Sequence, residues 1–316
     1  MKSSLKKVRG SVRDKIARFS HRDNSKCDIE VLVYHYIDTK LSHNWGPWKF
    51  GLETSEFERQ IKLLNQSRTI IPINQLISYI NGGKGLPQNS TVITFDDGYS
   101  NFSESALPIL EKHNVPATIY VPTRLMKKSG TPYEFRLATA LSRSSSVNVE
   151  ILENTVEGKL NSESDIIEAY HIIKNLLKEL TPEVQDEIIT ELEGTPITTH
   201  TVMSEQKIQQ LKRHSLITIG GHSHEHMPLN TLSNSKQRAS ISKCYNRLKE
   251  VLASPPRHFS FPYGSFNKSA ARAVKEVGFK SAVTTQSRPI SARDWRRPYT
   301  IPRIDAATES IVNDLV

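Results

Sequence analysis

The sequence predicts an α/β fold whose parallel strands close, or nearly close, into a barrel. Short apolar runs rich in β-branched or aromatic residues alternate with helix-like segments along most of the chain. Three of these runs end in acidic, histidine-rich or Pro-Tyr-Gly turns, and α/β barrels carry their catalytic groups at the ends of strands. At 316 residues the chain is long enough for one such domain with a substantial core.

Strands are predicted where an apolar or β-branched run is bounded by turn residues. The predicted strands cover residues 30–36, 69–73, 91–95, 117–121, 216–219, 258–261, 281–285 and 300–304. Between several of them, apolar residues recur at helical spacing. The clearest predicted helices cover residues 54–66, 237–252 and 268–277.

One interval interrupts the alternation of strands and helices. No core strand is predicted between residues 121 and 216. Residues 162–180 carry a helical stripe of apolar side chains, and Thr181-Pro182-Glu183 is typical of the start of a second helix. We therefore predict a helical insertion over about residues 130–210, which either shapes the substrate cleft or only supports the barrel.

Two adjacent acids, Asp96 and Asp97, follow the predicted strand 91–95 and precede Gly98 and Tyr99. Two neighbouring carboxylates repel each other unless a cation binds one of them or one keeps its proton. A metal ion is the natural candidate for that cation.

A histidine cluster follows the predicted strand 216–219 and its two glycines. Three imidazoles fall within five residues, at His222, His224 and His226. Zinc and similar divalent ions bind imidazole nitrogens together with a carboxylate, and a catalytic site leaves one position for water. His222 and His226 are four apart and can face the same way. Taken alone, the cluster is equally compatible with a polar loop of solvated histidines.

A third turn, Pro262-Tyr263-Gly264, follows the predicted strand 258–261. In chain order, Thr94 to Tyr99, His222-Ser223-x-x-His226 and Phe261 to Gly264 resemble the successive motifs of the polysaccharide deacetylase family, the NodB-like carbohydrate esterases of family 4. The resemblance extends over about residues 30–305. It implies a deformed barrel of about seven parallel strands.

The resemblance also implies roles for individual residues. Asp97, His222 and His226 would bind a divalent metal, with Zn²⁺ as the first choice and other transition metals open. Asp96 would be the general base that deprotonates the attacking water. The backbone N–H of Tyr263 would stabilise the oxyanion formed on the acetyl carbonyl.

The same resemblance implies substrate contacts beside these catalytic groups. The residues expected to contact the substrate are Tyr99, Pro262 and Tyr263.

The sequence departs from the family pattern in its histidines. The family commonly supplies a general-acid histidine near the end of the domain, whereas no histidine follows His258 here. His35 ends the first predicted strand and resembles the Tyr-His strand of members that act on exopolysaccharides. We therefore assign the general acid to His35; a histidine that only hydrogen-bonds at the sheet edge is the alternative.

A second departure concerns arginine. Many relatives carry an arginine just before the Pro-Tyr-Gly turn that orients the base, where this chain has Ser260. Arg303, in the last predicted strand, is our candidate for the partner of Asp96. A surface arginine near a strand end is the alternative interpretation.

The net charge of +9 is concentrated in residues 1–28, which contain nine Lys or Arg residues and three Asp residues and so carry +6. Leu5, Val8, Val12, Ile16 and Phe19 recur there at helical spacing. We expect a basic amphipathic segment followed by a deacetylase-like domain over residues 29–316. Residues 1–22 could contact an anionic membrane surface, and a solvated tail is the alternative.

The cellular location is also an expectation from the sequence. The sequence has no secretory signal and no stretch long enough to span a bilayer. We therefore expect a cytoplasmic protein, with contact to the inner face of the membrane as an option.

Together these features predict a metal-dependent hydrolase that removes acetyl groups from N-acetylated sugars of a bacterial polysaccharide or lipid-linked glycoconjugate. Hydrolysis of a non-saccharide C–N bond is the alternative, because the motifs specify water activation better than the substrate. A non-catalytic carbohydrate-binding protein is less favoured because the chain has all of the expected catalytic and metal-binding side chains: Asp96, Asp97, His222, His226 and His35. Nucleic acid is not expected as a partner, since the positive charge lies on one terminal segment. The sequence leaves the oligomeric state open.

Overall fold

A computed structural model describes residues 29–43, 45–83, 85–126, 130–194 and 202–307. The predicted basic segment, residues 1–28, lies outside the described residues. Among the helices of the described part, none combines the length and the hydropathy that crossing a membrane requires.

The strands of the described residues are short and mostly buried. They are β1 (Glu30–Tyr34), β2 (Tyr36–Asp38), β3 (Gly51–Glu53), β4 (Thr69–Ile70), β5 (Ser90–Phe95), β6 (Ala117–Val121), β7 (Ser146–Ile151), β8 (Asn154–Lys159), β9 (Ile217–Gly221), β10 (His258–Ser260), β11 (Ser281–Val283) and β12 (Ile304–Asp305). Every predicted strand overlaps one of them.

The main sheet is parallel, with the strand order β11-β10-β9-β6-β5-β1-β12 and with β4 beside β5. Strands β1, β5 and β6 are buried along their whole length. Burial on both faces explains why these strands are near-continuous β-branched and apolar runs rather than alternating ones. The predicted α/β class with a parallel sheet is confirmed.

The last described segment brings the two edges of the sheet together. Strand β12 pairs with β1, and Ile301, just before it, forms a parallel bridge to Val283 in β11. The N–H of Ile301 donates to Ala282 and its carbonyl accepts from Thr284. The sheet is therefore curled like a barrel, and residues 301–305 cross from one edge to the other close to the carboxyl ends of the central strands.

Helices surround the sheet and cover its outer face. Those of the described residues are α1 (Thr54–Ser67), α2 (Ile73–Ile80), α3 (Leu107–Lys112), α4 (Thr123–Met126), α5 (Tyr133–Arg143), α6 (Glu163–Leu177), α7 (Pro182–Glu193), α8 (Glu205–Lys212), α9 (Asn234–Leu252) and α10 (Lys268–Val277). A π-helical turn, Phe102–Ala106, precedes α3, and 3₁₀ turns lie at Gly46–Phe50, Leu229–Thr231, Pro262–Gly264 and Ala292–Asp294.

Helix α1 shows how the helices are held. Phe57, Ile61 and Leu64 lie on one face at helical spacing and are fully buried in the main core. Each such side chain contributes roughly 1.5–3 kcal/mol by leaving water. The predicted helix over residues 54–66 is thereby explained.

Between β6 and β9, a separate layer packs against the barrel. It consists of α5, the antiparallel hairpin of β7 and β8, α6 and α7. Helices α6 and α7 lie at the two predicted helical patterns; Ser162 caps the first through a reciprocal bond with Asp165, and Thr181 precedes the second. The hairpin was not predicted, although β7 alternates exposed and buried residues.

This layer has its own hydrophobic core. Tyr170, Ile173 and Leu177 of α6 are fully buried in it, and they pack in one cluster with Trp45 and Trp48 from the barrel side. The tryptophans therefore attach the insertion to the loop that precedes β3.

Candidate metal centre and active site

The acidic pair lies at the carboxyl end of β5, as predicted. Asp97 adopts a left-handed backbone with φ of 68°, and Gly98 follows at 63°. A Cβ on Gly98 would lie 2.9 Å from Cγ1 of Val121, so the tight turn after Asp97 requires glycine. The turn separates the two carboxylates, which then have different partners.

Asp97 meets the two histidines of the second motif. Its Oδ1 lies 3.1 Å from Nε2 of His226 and 3.4 Å from Nε2 of His222. One ligand atom from each of the three residues lies within 4.8 Å of the other two. Side chains from two strand ends, more than a hundred positions apart, therefore converge on one point.

The histidine nitrogens are arranged for binding a metal. Nδ1 of His222 lies 2.8 Å from the carbonyl of Ser260, so Nδ1 carries the proton and leaves the lone pair of Nε2 facing Asp97. Nε2 of His226 is buried, and although it lies 3.1 Å from Oδ1 of Asp97, within the described residues it has no partner with the geometry of a hydrogen bond. Two imidazoles and one carboxylate are the donor set of catalytic zinc sites. The residues present therefore fit a divalent transition metal.

Asp96 is held by a different set of residues. The guanidinium of Arg303 donates to both of its carboxylate oxygens, at 2.7 and 2.5 Å, and Ser260 Oγ donates at 3.0 Å. Asp96 is 3% exposed and Arg303 is 0% exposed. Burial raises the pKa of Asp96, but the charge and hydrogen bonds of Arg303 oppose burial, and that pKa lies below its ordinary value. Asp96 is therefore an oriented, ionised carboxylate beside the three candidate metal ligands.

The contact predicted between Arg303 and Asp96 is thus present, while the part played by Ser260 was missed. The Ser260 hydroxyl also accepts from Nη2 of Arg303 at 2.9 Å, and its carbonyl is the acceptor for His222. Ser260, at the end of β10, therefore links Asp96 to His222, a candidate metal ligand. Its position at a strand end was the feature of the sequence that could have indicated this.

His35 follows β1 and lines the same cavity as the acidic pair and the histidines. Its Nδ1 is buried without a hydrogen-bond partner among the described residues. Its ring centre lies 5.7 Å from that of Phe50. The structure thus brings His35 to the site but engages it with neither Asp96 nor a backbone group.

Tyr263 lies in the 3₁₀ turn of the third motif, with φ of 56°. Its ring centre is 4.8 Å from that of His226, and its hydroxyl donates to Oε1 of Glu134 at 2.8 Å. Within the described residues its backbone N–H has no acceptor. Burial and the Glu134 carboxylate raise the pKa of the Tyr263 hydroxyl, which therefore stays protonated and donates.

Three residues of this site, Asp97, His226 and Tyr263, have positive φ although none is glycine. Each such residue costs of the order of 1–3 kcal/mol, and such strain clusters at functional sites. The surrounding contacts therefore hold the motif turns in conformations that an isolated chain would avoid.

A cavity of about 480 Å³ opens over this cluster. Its wall includes Tyr99 and Tyr263, as expected. Pro262 is buried and does not line the cavity, because it forms the base of the turn, with its carbonyl accepting from the N–H of Ser265. The insertion contributes further wall residues that the sequence did not indicate, among them Glu134 and Lys178.

The model of the polysaccharide deacetylase family matches residues 83–282, more than half of the chain. The chain belongs to the polysaccharide deacetylase family. The matched region contains the acidic pair, the histidine motif and Tyr263. His35 and Arg303 lie outside the matched region. The roles assigned to these two residues are therefore supported by the geometry of the site and not by the family match.

Comparisons with individual proteins agree with the family. A poly-beta-1,6-N-acetyl-D-glucosamine N-deacetylase of Staphylococcus aureus (strain MSSA476) is 29% identical over 121 residues. That match covers 38% of this chain and 40% of the relative, so it spans well under half of either protein.

Solved structures show the same fold. The Streptococcus pyogenes deacetylase PplD, solved in complex with acetate, has a TM-score of 0.58 at 16% identity, covering 88% of this chain and 91% of that one. IcaB from Ammonifex degensii also has a TM-score of 0.58 at 16% identity, covering 92% and 98%. At these identities the likeness concerns the fold alone.

Proposed function

We propose that this protein is a divalent-metal-dependent hydrolase that removes acetyl groups from N-acetylated sugars of a bacterial polysaccharide or lipid-linked glycoconjugate. One observation carries the proposal: Asp97, His222 and His226 offer three ligand atoms within 4.8 Å, and the separately oriented carboxylate of Asp96 lies beside them. A metal site with an adjacent base is the arrangement that activates water for attack on a carbonyl.

The residues divide the chemistry between them. A divalent metal held by Asp97, His222 and His226 supplies Lewis-acid polarisation and lowers the pKa of water. Asp96 accepts a proton from the water that attacks the acetyl carbonyl, and Arg303 keeps Asp96 ionised and fixed in direction. Because the Tyr263 N–H has no acceptor in the described protein, it can donate to the oxygen that becomes negative.

The C–N bond then breaks, and the departing nitrogen takes a proton. His35 is assigned this step because the residue lines the same cavity and its Nδ1 has no hydrogen-bond partner within the described residues. An amine leaves poorly without protonation, whereas many alcohols leave more easily. A dedicated acid therefore favours amide substrates over esters.

The saccharide class is supported by family membership and by the similarity to the S. aureus poly-beta-1,6-N-acetyl-D-glucosamine N-deacetylase. The open cavity, walled by aromatic residues such as Tyr99, Tyr133 and Tyr263, can admit a sugar unit within a chain.

The test is mass-spectrometric detection of an acetyl-sized loss, with released acetate measured in parallel. The zinc-loaded protein is incubated with oligosaccharides of N-acetylglucosamine of several linkages and with small non-saccharide acetamides. We expect deacetylation of a saccharide and none by Asp97→Asn. Activity confined to the non-saccharide amides would overturn the substrate class, and inactivity on the whole panel would count against the function.

A further inference from the structure

Two residues of the insertion contact the side chain of Tyr263. Glu134, in the first turn of α5, accepts the hydrogen bond from its hydroxyl. Lys178, the residue that follows α6, places Nζ 4.6 Å from the centre of the Tyr263 ring. The ring of His226 lies near the same ring on the barrel side.

Both Glu134 and Lys178 contact the side chain of Tyr263, one through a hydrogen bond and the other through its ring face. Neither residue has an ion-pair partner in the part of the chain that the structure describes. A carboxylate and an ammonium group at the wall of a cavity are usually paired with opposite charge or with water. Here both are directed at one tyrosine whose backbone is strained.

Because the backbone of Tyr263 is strained, contacts to its side chain can determine where its backbone N–H points. Tyr263 has φ of 56° and ψ of 12°, a conformation that an aromatic residue adopts only when its surroundings impose it. The direction of its free N–H depends on this conformation. A group that fixes the side chain therefore also fixes the direction of the donor.

Ion pairs connect Glu134's helix to the rest of the insertion and to the barrel. Arg136, two residues after Glu134, donates to both carboxylate oxygens of Glu193 and to Asp186 of α7. Arg124, on the barrel side, donates to the same Asp186. Glu134 is thus attached to a helix pair that is itself tied to the barrel, which is the support that a precise site needs.

We propose that the insertion is part of the catalytic apparatus, and that Glu134 and Lys178 are positioning residues that hold Tyr263 so that its N–H meets the developing oxyanion. The inference rests on the proposed function. Loss of an entire oxyanion donor costs about 10²–10³ in kcat. Loss of its positioning should cost less, about 10- to 100-fold.

The test compares Glu134→Ala, Glu134→Gln, Tyr263→Phe and the double variant Glu134→Ala/Tyr263→Phe, with Glu187→Ala, exposed on the same insertion, as control. We expect Glu134→Ala and Tyr263→Phe each to lower kcat about 10- to 100-fold with KM and zinc affinity nearly unchanged. The double variant should be no worse than either single variant, since both remove one contact. Glu134→Gln keeps an acceptor and should recover most of the activity.

Lys178→Met, which keeps the aliphatic stem, should lower kcat about threefold. Lys159→Met, exposed on β8, is the matched control.

A kcat for Glu134→Ala equal to that of Glu187→Ala, or additive effects in the double variant, would overturn the inference while leaving the proposed function intact. A crystal structure gives a readout that needs no turnover. In zinc-loaded Glu134→Ala we expect the Tyr263 turn to move, and an unmoved turn would overturn the inference. A wild-type protein that binds zinc but hydrolyses no acetylated compound would instead reject the function itself.

Discussion

Arg303 donates to both carboxylate oxygens of Asp96, although the two residues lie 207 positions apart. The contact exists because the segment 301–305 crosses between the two edges of the curled sheet. Nε of Arg303 also donates to the carbonyl of Thr284, and Nη1 to the hydroxyl of Thr94. The guanidinium is therefore fixed by the closure of the sheet, and the direction of Asp96 follows from it.

Replacing Arg303 should damage turnover more than metal binding. Arg303→Lys keeps a positive charge but loses the two-pronged contact with Asp96, so we expect kcat to fall about 10²-fold. Zinc affinity should change only a few-fold, because Arg303 is not a ligand. Acetate release and zinc titration measure the two effects, with Arg293→Lys, on the surface, as control.

Arg303→Met should in addition destabilise the fold. It leaves the buried carboxylate of Asp96 without its cation, which costs about 3–5 kcal/mol of unfolding free energy in comparable cases. Urea unfolding at neutral pH measures the change. A loss below about 1 kcal/mol would show that Asp96 finds another partner or takes up a proton.

His35 should be needed for amides more than for activated esters. For His35→Ala we expect kcat on an N-acetylated sugar to fall about 10²–10⁴-fold, the usual size of general acid catalysis. On 4-nitrophenyl acetate the same variant should lose less than about tenfold, because the nitrophenolate leaves without a proton. Equal losses on both substrates would remove the general-acid assignment. His214→Ala, outside the cavity, is the control for a histidine replacement.

His258 should make the protein less stable in acid. It is buried between Ser281 and Asn74, with ring nitrogens 2.8 and 2.9 Å from their side-chain oxygens. Burial, assisted by the charge of Arg257, lowers its pKa to about 3. Between about pH 3 and 6.5 the unfolded chain binds a proton that the folded protein does not, so the unfolding free energy rises with pH across that window.

The variant His258→Gln isolates this effect. From pH 6.5 to 4.5 the wild type should lose about 2.3 kcal/mol more unfolding free energy than the variant. Above about pH 7.5 the difference between the two proteins should be constant. Urea unfolding at a series of pH values gives both curves, with His171→Gln, exposed on α6, as the reference replacement. Parallel curves for wild type and His258→Gln would mean that His258 is protonated in the folded protein.

The strands, and the fact that the acidic pair and the histidines follow strand ends, could be predicted from the sequence because they obey local rules. Runs such as residues 91–95 and 216–219 are apolar because both faces are buried, and the carboxyl ends of parallel strands meet at one edge. The expectation that Asp97, His222 and His226 share one site also depended on their resemblance to the motifs of polysaccharide deacetylases. The helical stripe of α6 was recognisable for the same reason.

The remaining contacts depend on how distant parts of the chain dock, which no local pattern records. The several bonds of Ser260 require β10 to lie beside β9 and Arg303 to cross the sheet edge. Glu134 reaches Tyr263 only because the insertion packs beside the cavity mouth. Pro262 does not line the cavity because it lies at the base of a turn. Its neighbour Tyr263 lines the cavity and contacts His226 and Glu134.

The central claim is that Asp97, His222 and His226 together bind one divalent ion beside Asp96. Anomalous diffraction at the zinc edge from crystals grown with zinc tests it most directly. We predict a single strong peak about 2.0–2.2 Å from a carboxylate oxygen of Asp97 and from Nε2 of both histidines, absent in crystals of Asp97→Asn. Full-occupancy zinc bound elsewhere, or no peak among these three side chains, would contradict the account.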